Sequence, residues 1–223
     1  MPITHVNNLV EIFKLSANLS STKRYSQIHL HVPESVLEHT GFVCLMSYLL
    51  VLEINSRQES EGHDQGPVPV ISVLEKSLLH DIEEVVSGDV PRTTKYFNPQ
   101  IRQEFESVEE HGIKHVLSNL GYSESSVIGE KVFLLWKTSK EDSSGLIVKV
   151  SDLLAVVYKV WWETIQMGNL NVLDNITTLR EYILDVKGLV NEDPHLTPNS
   201  RSYIHDLLED ARDLVTVAQS LRA

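Results

Sequence analysis

One segment constrains the fold more than any other, because it is apolar on nearly every side. Residues 146–165 read LIVKVSDLLAVVYKVWWETI and leave no broad polar face that a helix could turn to water. A helix of this kind must be surrounded by other parts of the protein. Its middle carries one carboxylate, Asp152, which loses its hydration on burial unless a cation or several hydrogen-bond donors replace the water. The segment therefore predicts a central helix in a large core, with a partner for Asp152.

Helical periodicity also dominates the rest of the chain, and strand-like alternation is confined to residues 28–32. We predict helices at about 6–19, 34–54, 71–86, 100–120, 127–136, 146–165, 172–186 and 198–221. Residues 55–69 are predicted to form a polar loop that is too hydrophilic to pack. Gly88 is suited to end the third helix with a positive φ. The fold class is all-α, a compact bundle of seven to nine helices, and we expect a single domain over residues 1–223.

Charge and composition narrow the classes of partner. The 223 residues carry 19 basic and 31 acidic side chains, for a net charge of −12, which argues against a partner that is a nucleic acid polymer. Cys44 is the one cysteine, so no disulfide forms within the chain and a reducing compartment is indicated. The longest nearly apolar stretch, residues 42–52, falls short of the roughly 20 residues of a membrane-spanning helix. We expect a cytoplasmic protein without membrane contact.

Four polar residues stand in apolar helical surroundings, and together they indicate a metal site. They are His39, His80, Asp81 and Asp152. Each has a simpler explanation when taken alone: a histidine bonded to a backbone carbonyl, or an ion pair between Asp152 and Lys149 one turn earlier. As a set, two imidazoles and two carboxylates suit a first-row divalent ion that keeps open positions for water and substrate.

The order His, His-Asp, Asp resembles the signature of the HD-domain phosphohydrolase superfamily. Residues 78–110, LLHDIEEVVSGDVPRTTKYFNPQIRQEFESVEE, are similar to the H-D-x-x-E-V-x-x-G-D-x-P-x-x-x-K-Y-F-N run of its YfbR-like 5′-deoxynucleotidase branch. Residues 34–39, ESVLEH, and 149–154, KVSDLL, resemble the motifs that precede and follow it. Arg24 and Tyr25 stand fifteen residues before His39, where that branch has Arg and an aromatic residue. Phage dATP triphosphohydrolases share these motifs.

The resemblance implies an HD-domain bundle with its motif core at about residues 24–160 and C-terminal helices at 166–223. It makes His39, His80, Asp81 and Asp152 the ligands of a divalent ion (Co²⁺, Zn²⁺, Mn²⁺ or Mg²⁺) and gives Asp81 a catalytic part as well. Glu84 becomes the acid/base that handles the proton of the attacking water or the leaving group. The residues implied in substrate binding are Arg24, Tyr25, Asp89, Pro91, Arg92 and Lys95.

Two departures from the family pattern bear on the substrate. Tyr25 stands where the family usually has Trp, and Arg92 occupies a position where the bacterial nucleotidases carry a small residue. A further cation beside the phosphates favours a triphosphate substrate, unless Arg92 is a solvent-facing loop residue. The first hypothesis is therefore a dNTP triphosphohydrolase, directed at dATP, that releases deoxynucleoside and triphosphate. The alternatives are a dNMP 5′-nucleotidase that releases orthophosphate and, in another class, a catalytically silent nucleotide-sensing HD module.

The resemblance also implies a homo-oligomer, a dimer or a hexamer, and a location in the host cytoplasm if a phage encodes the protein. Trp161 and Trp162 are predicted to lie in the core or in a subunit interface. His111 and His115 have the spacing of a helical metal pair, but they lie at the edge of the apolar stripe, so we expect a solvated face there.

Overall fold

A computed structural model describes residues 4–62 and 66–221, and it confirms the all-α prediction. Within these ranges the extended structure is limited to an isolated bridge between Lys23 and Ser35. The α-helices are α1 (Thr4–Ser21), α2 (Val36–Ser60), α3 (Val70–Leu79), α4 (Glu84–Ser87), α5 (Arg92–Lys95), α6 (Pro99–Asn119), α7 (Val127–Lys137), α8 (Ser143–Trp161), α9 (Ile176–Glu192) and α10 (Pro198–Ser220). Eight of these segments have ten or more residues, in agreement with the predicted seven to nine.

Helix α8 lies at the centre of the bundle, as its sequence predicts. Of its 19 residues, 13 are buried, and it packs against α2, α3, α9 and α10. Asp142 caps its first turn by accepting a hydrogen bond from the backbone N–H of Gly145. At its other end the chain continues into one π-helical turn, Trp162–Gln166, and then a 3₁₀ turn, Leu170–Asn175. Asp152 therefore lies inside the core.

Helix α2 is longer than predicted, because residues 55–60 continue it instead of starting a loop. The polar side chains of this turn are satisfied inside the protein. Gln58 is buried and donates to the carbonyl of His195, while the side chain of Asn55 both donates to and accepts from the backbone of Val68. The prediction that this stretch is too hydrophilic to pack is wrong for residues 55–60. Residues 63–65 of the predicted loop lie outside the described part of the chain.

By length and composition alone, α2 could cross a membrane, with a mean hydropathy of 1.4 over an 18-residue window of which 39% is buried. One such helix is weak evidence, since the core helix of a soluble protein has the same properties. Here α2 packs along α3 and α8 and buries His39, Val43 and Val51 against them.

The predicted helix at 71–86 is interrupted, and the break falls on His80 and Asp81. Helix α3 ends at Leu79, residues 80–83 form a turn, and the short α4 follows. Five consecutive residues, His80 to Glu84, are buried. At this turn the side chains depart from the 100° spacing of one continuous helix. Gly88 ends α4 with the expected positive φ of 71°.

Candidate metal centre

The structure brings His39, His80, Asp81 and Asp152 together in one buried cluster. One side-chain ligand atom from each lies within 4.8 Å of the other three. His39 comes from α2, His80 and Asp81 from the turn after α3, and Asp152 from the middle of α8. Nε2 of His39 lies 3.1 Å from Oδ1 of Asp152, and Nε2 of His80 lies 3.1 Å from Oδ2 of Asp81.

Hydrogen bonds outside the cluster orient His80 toward its centre. Nδ1 of His80 donates to the carbonyl of Ser77 over 2.7 Å, which directs Nε2 inward. There it faces Nε2 of His39 at 3.3 Å, while Nδ1 of His39 is buried without a hydrogen-bond partner. Two imidazole nitrogens and two carboxylate oxygens that converge in this way form a donor set for a first-row divalent ion. The cluster can hold the divalent metal ion that the sequence predicts.

Three of the four ligands, His39, Asp81 and Asp152, have the protonation state that a metal ion requires at neutral pH. Burial and the charge of Arg24 lower the pKa of His39 to about 4, so this imidazole is neutral. Burial opposes ionisation of both carboxyls, but it is outweighed at Asp81 by the charges of His80 and Lys140, and at Asp152 by the charge of Lys140 and a hydrogen bond with His39. These interactions hold the pKa of each carboxyl below its usual value. The charge of Asp81 likewise outweighs burial and raises the pKa of His80. Metal binding therefore competes with a proton at His80.

Sequence reasoning missed Lys140, which provides the positive charge near Asp152. Its Nζ lies 3.4 Å from Oδ1 of Asp81 and 3.6 Å from Oδ2 of Asp152. No ion pair between Asp152 and Lys149 occurs in the described residues, so the simpler explanation offered for Asp152 is wrong. Lys140 precedes Asp152 by twelve residues in a polar turn, and no periodic pattern connects them.

Glu84 lies near the cluster without belonging to it. Burial and the charges of Asp81 and Asp89 raise the pKa of Glu84 well above its usual value, which favours the protonated carboxyl. Its Oε1 is 3.9 Å from Nζ of Lys95, which also pairs with Glu109 at 2.8 Å. Oε2 of Glu84 is buried without a hydrogen-bond partner. This is a carboxyl that can exchange a proton with a bound group.

Arg24 and Tyr25 form a turn that Asp89 holds in place. Tyr25 has a φ of 56°, which a bulky residue adopts only under constraint, and its N–H donates to Oδ2 of Asp89 over 2.8 Å. Oδ1 of the same carboxylate lies 3.8 Å from Nε of Arg24, whose Nη1 lies 3.4 Å from Glu34. Asp89 therefore positions the two residues that the family resemblance implies in substrate binding.

Arg92 is half-buried and paired with an acidic residue. Its guanidinium lies 3.2 Å from Oδ2 of Asp185 and 4.1 Å from the ring centre of Tyr182. The hydroxyl of Tyr182 reaches Oδ2 of Asp152 at 3.5 Å, so Arg92 is connected to the cluster through an aromatic ring. Pro91 precedes Arg92 directly and begins α5.

Two other groups complete the surroundings. Glu83, between Asp81 and Glu84, accepts a 2.7 Å hydrogen bond from Nε1 of Trp136 on α7, and burial together with the charge of Asp81 raises its pKa to about 7. His111 and His115 lie exposed on α6, where they contact Ser107 and Asn119, as the sequence predicts for a solvated face.

Comparison with known proteins identifies the class. A family model described as 5′-deoxynucleotidase YfbR-like matches residues 11–191. The chain belongs to the YfbR-like 5′-deoxynucleotidase family, and it is a hydrolase.

Three relatives illustrate the similarity. A 5′-deoxynucleotidase of Vibrio parahaemolyticus is 28% identical over 153 residues, which cover 69% of this chain and 74% of the relative. An HD-domain phosphohydrolase of Listeria innocua has a TM-score of 0.58 at 24% identity, with 94% of this chain and 98% of that chain covered. The cyanophage S-2L HD phosphohydrolase DatZ, bound to dA and one catalytic Zn²⁺, has a TM-score of 0.60 at 15% identity, covering 90% and 95%. The fold is that of the HD-domain proteins.

Proposed function

We propose that this hydrolase uses a divalent metal ion to cleave the 5′ phosphate ester of deoxyribonucleotides. One observation carries the proposal: four ligand atoms, from His39, His80, Asp81 and Asp152, lie buried within 4.8 Å of one another. These four residues would hold the ion. When bound, such an ion acts as a Lewis acid and makes water a better nucleophile near neutral pH.

Glu84 is the proton-handling group in this proposal. Its carboxyl is buried next to the cluster, and its Oε2 has no hydrogen-bond partner among the residues that the structure describes. Because burial and the charges of Asp81 and Asp89 raise its pKa, it can exchange a proton with the attacking water or with the leaving 5′ oxygen. The neighbouring ammonium group of Lys95 is available to a phosphoryl oxygen.

The Arg24–Tyr25 turn is our proposed nucleotide-binding element. Tyr25 offers an aromatic ring on which a base can stack, and Arg24 offers a charge. Asp89 acts by holding this turn. Pro91 and Arg92 then form the wall at the start of α5.

Of the two substrate hypotheses, we favour the deoxynucleoside monophosphate. The argument for a triphosphate depends on an extra unpaired cation at Arg92, and Asp185 already pairs with that guanidinium. The family description and the curated relative both name a 5′-deoxynucleotidase. The dATP triphosphohydrolase hypothesis keeps the support of the clustered cations and of the structural similarity to a phage enzyme bound to dA.

Analysis of the reaction products distinguishes the monophosphate hypothesis from the triphosphate hypothesis. The metal-loaded protein is incubated with each dNMP and dNTP in the presence of Co²⁺, Mn²⁺, Mg²⁺ or Zn²⁺. We expect orthophosphate from dNMPs and intact dNTPs. Triphosphate released from dATP would establish the other substrate, and no turnover of either would overturn the proposal.

We further propose one HD domain over residues 1–223, a cytoplasmic location and assembly with a second copy. Assembly is supported by apolar side chains on the outer side of α2, where Leu45 is 59% exposed and Leu49 53% exposed. Sedimentation of the wild type and of Leu45→Glu tests this. The variant should dissociate, while Val127→Glu, at an exposed apolar position on α7, should leave the assembly intact.

A further inference from the structure

Lys140 contacts the two carboxylates of the centre through the oxygens that the histidines do not use. Its Nζ lies 3.4 Å from Oδ1 of Asp81 and 3.6 Å from Oδ2 of Asp152. The other oxygen of each carboxylate is 3.1 Å from an imidazole nitrogen. If the oxygens that face the imidazoles hold the ion, the oxygens that Lys140 contacts remain with the lysine. The ion and the ammonium group can be present together.

The chain fixes the segment that carries Lys140. The buried ammonium of Lys76 donates to the carbonyl of Thr138 over 2.8 Å and pairs with Asp142 at 2.6 Å. At Gly145 an added Cβ would lie 2.8 Å from the carbonyl oxygen of Thr138 and 2.9 Å from the backbone nitrogen of Lys140. The turn between α7 and α8 thus packs directly on the first turn of α8, which brings Lys140 over the cluster.

The charge of Lys140 differs from that of Arg24, Arg92 and Lys95. Each of these three cations has an acidic partner outside the cluster: Arg24 has Glu34 and Asp89, Arg92 has Asp185, and Lys95 has Glu109. In the described residues the acidic partners of Lys140 are the two cluster carboxylates, whose charge a divalent ion would neutralise. With the ion bound, Lys140 gives the centre one net positive charge. Its side chain is 37% exposed and can meet a ligand.

We propose that Lys140 is a phosphate-binding residue whose charge becomes available when the metal binds, so that metal and phosphate bind cooperatively. The inference rests on the proposed function, which supplies the phosphate-bearing substrate. It has two consequences of opposite sign. Lys140 weakens metal binding, because it adds a positive charge beside the ion. It strengthens phosphate binding to the metal-loaded protein. By linkage, phosphate must strengthen metal binding by the same factor by which the metal strengthens phosphate binding.

Calorimetric titration tests both consequences. The wild type and Lys140→Met are titrated first with Mn²⁺ alone, and the Mn²⁺-loaded proteins are then titrated with inorganic phosphate. We expect the variant to bind Mn²⁺ about tenfold more tightly and phosphate about tenfold more weakly. Lys140→Arg keeps the charge and should stay near the wild type in both. The matched control is Lys137→Met, three residues upstream on the exposed surface, which should change neither.

A purely structural role for Lys140 would weaken both binding reactions or leave both unchanged, and either result would overturn the proposal. If Lys140→Met does not fold, Lys140→Gln, which keeps N–H donors without the charge, should give the same pair of changes. The titrations use Mn²⁺ and phosphate and need no turnover. A wild type that cleaves no deoxynucleotide would contradict the proposed function and still leave the comparison of the variants readable.

Discussion

Two buried carboxylate sites in this bundle differ in how their charge is satisfied. Glu163, in the π-helical turn after α8, is fully buried and accepts hydrogen bonds from the backbone N–H groups of His31 and Val32 and from the side chain of Asn169. Lys159 lies 3.4 Å away on the preceding turn. Hydrogen-bond donors and a lysine of the same chain therefore compensate the charge of Glu163.

The carboxylates of Asp81 and Asp152 have longer contacts, including one of 3.5 Å from the hydroxyl of Tyr182 to Asp152. Their nearest neighbours are two imidazoles, one with its Nδ1 unpartnered, and a lysine at 3.4 to 3.6 Å. A buried anion with complete internal partners stabilises the fold, whereas one with loose partners is suited to an external cation. The two sites therefore differ in role: Glu163 stabilises the fold, whereas the cluster of Asp81 and Asp152 is suited to binding a cation.

The largest effect is expected from Asp152→Ala. It removes one of four ligand atoms from the centre of α8, so metal binding and turnover should be lost together. Calorimetry with Mn²⁺ and a phosphate-release assay measure both, and Asp213→Ala on the exposed side of α10 is the control. Normal Mn²⁺ affinity in Asp152→Ala would remove this residue from the ligand set.

Glu84→Gln should separate binding from chemistry. The amide keeps the shape of the buried side chain but cannot transfer a proton, so turnover should fall by about 10²–10⁴-fold. The affinity for Mn²⁺ should stay close to that of the wild type. Glu104→Gln on the exposed surface of α6 should have no effect on either measurement. Wild-type turnover in Glu84→Gln would refute the acid/base role.

Glu163→Gln should change the stability of the fold and leave metal binding unchanged. The substitution places an NH₂ group among N–H donors, which should lower the free energy of unfolding by about 2 kcal/mol. Denaturant unfolding checks the stability, and calorimetry should give an unchanged Mn²⁺ affinity. A loss of metal binding without a loss of stability would contradict the contrast drawn between the two sites.

The same substitution has an expected pH dependence. Burial opposes ionisation of Glu163, but the hydrogen bonds from Asn169, His31 and Val32 outweigh it and lower its pKa. The ionised form therefore stabilises the fold above the usual carboxyl pKa, and this contribution is lost as the pH falls through the lowered value. The difference in stability between wild type and Glu163→Gln should shrink on acidification. A difference that grows toward low pH would show that the sign is wrong.

Short-range periodicity predicted most of the helices, and polar residues in apolar surroundings, together with the resemblance of their motifs to the HD-domain superfamily, predicted the cluster. His39, His80, Asp81 and Asp152 are polar residues in apolar helical surroundings, and burial of that kind shows in a single segment. Lys140 shows no such signal. Its position depends on the turn between α7 and α8, on Lys76 and on the close approach at Gly145.

Two of the errors in the helix boundaries have a related cause. Residues 55–60 look like a loop, but Gln58 finds a carbonyl acceptor at His195, 137 residues away. The break after Leu79 is invisible in the periodicity because His80 to Glu84 combine polar and apolar side chains that are all buried. In both places contacts within the folded protein determine where the helix ends.

The hydrogen bond between the indole of Trp136 and Glu83 has a practical consequence. An excited indole responds to the charge and polarity around it, and Glu83 lies two residues from Asp81. The other two tryptophans, Trp161 and Trp162, pack with Tyr158 and lie in another aromatic group. The protein thus contains an intrinsic fluorophore close to the metal-binding cluster. We expect its emission to report ion binding in real time without an attached dye.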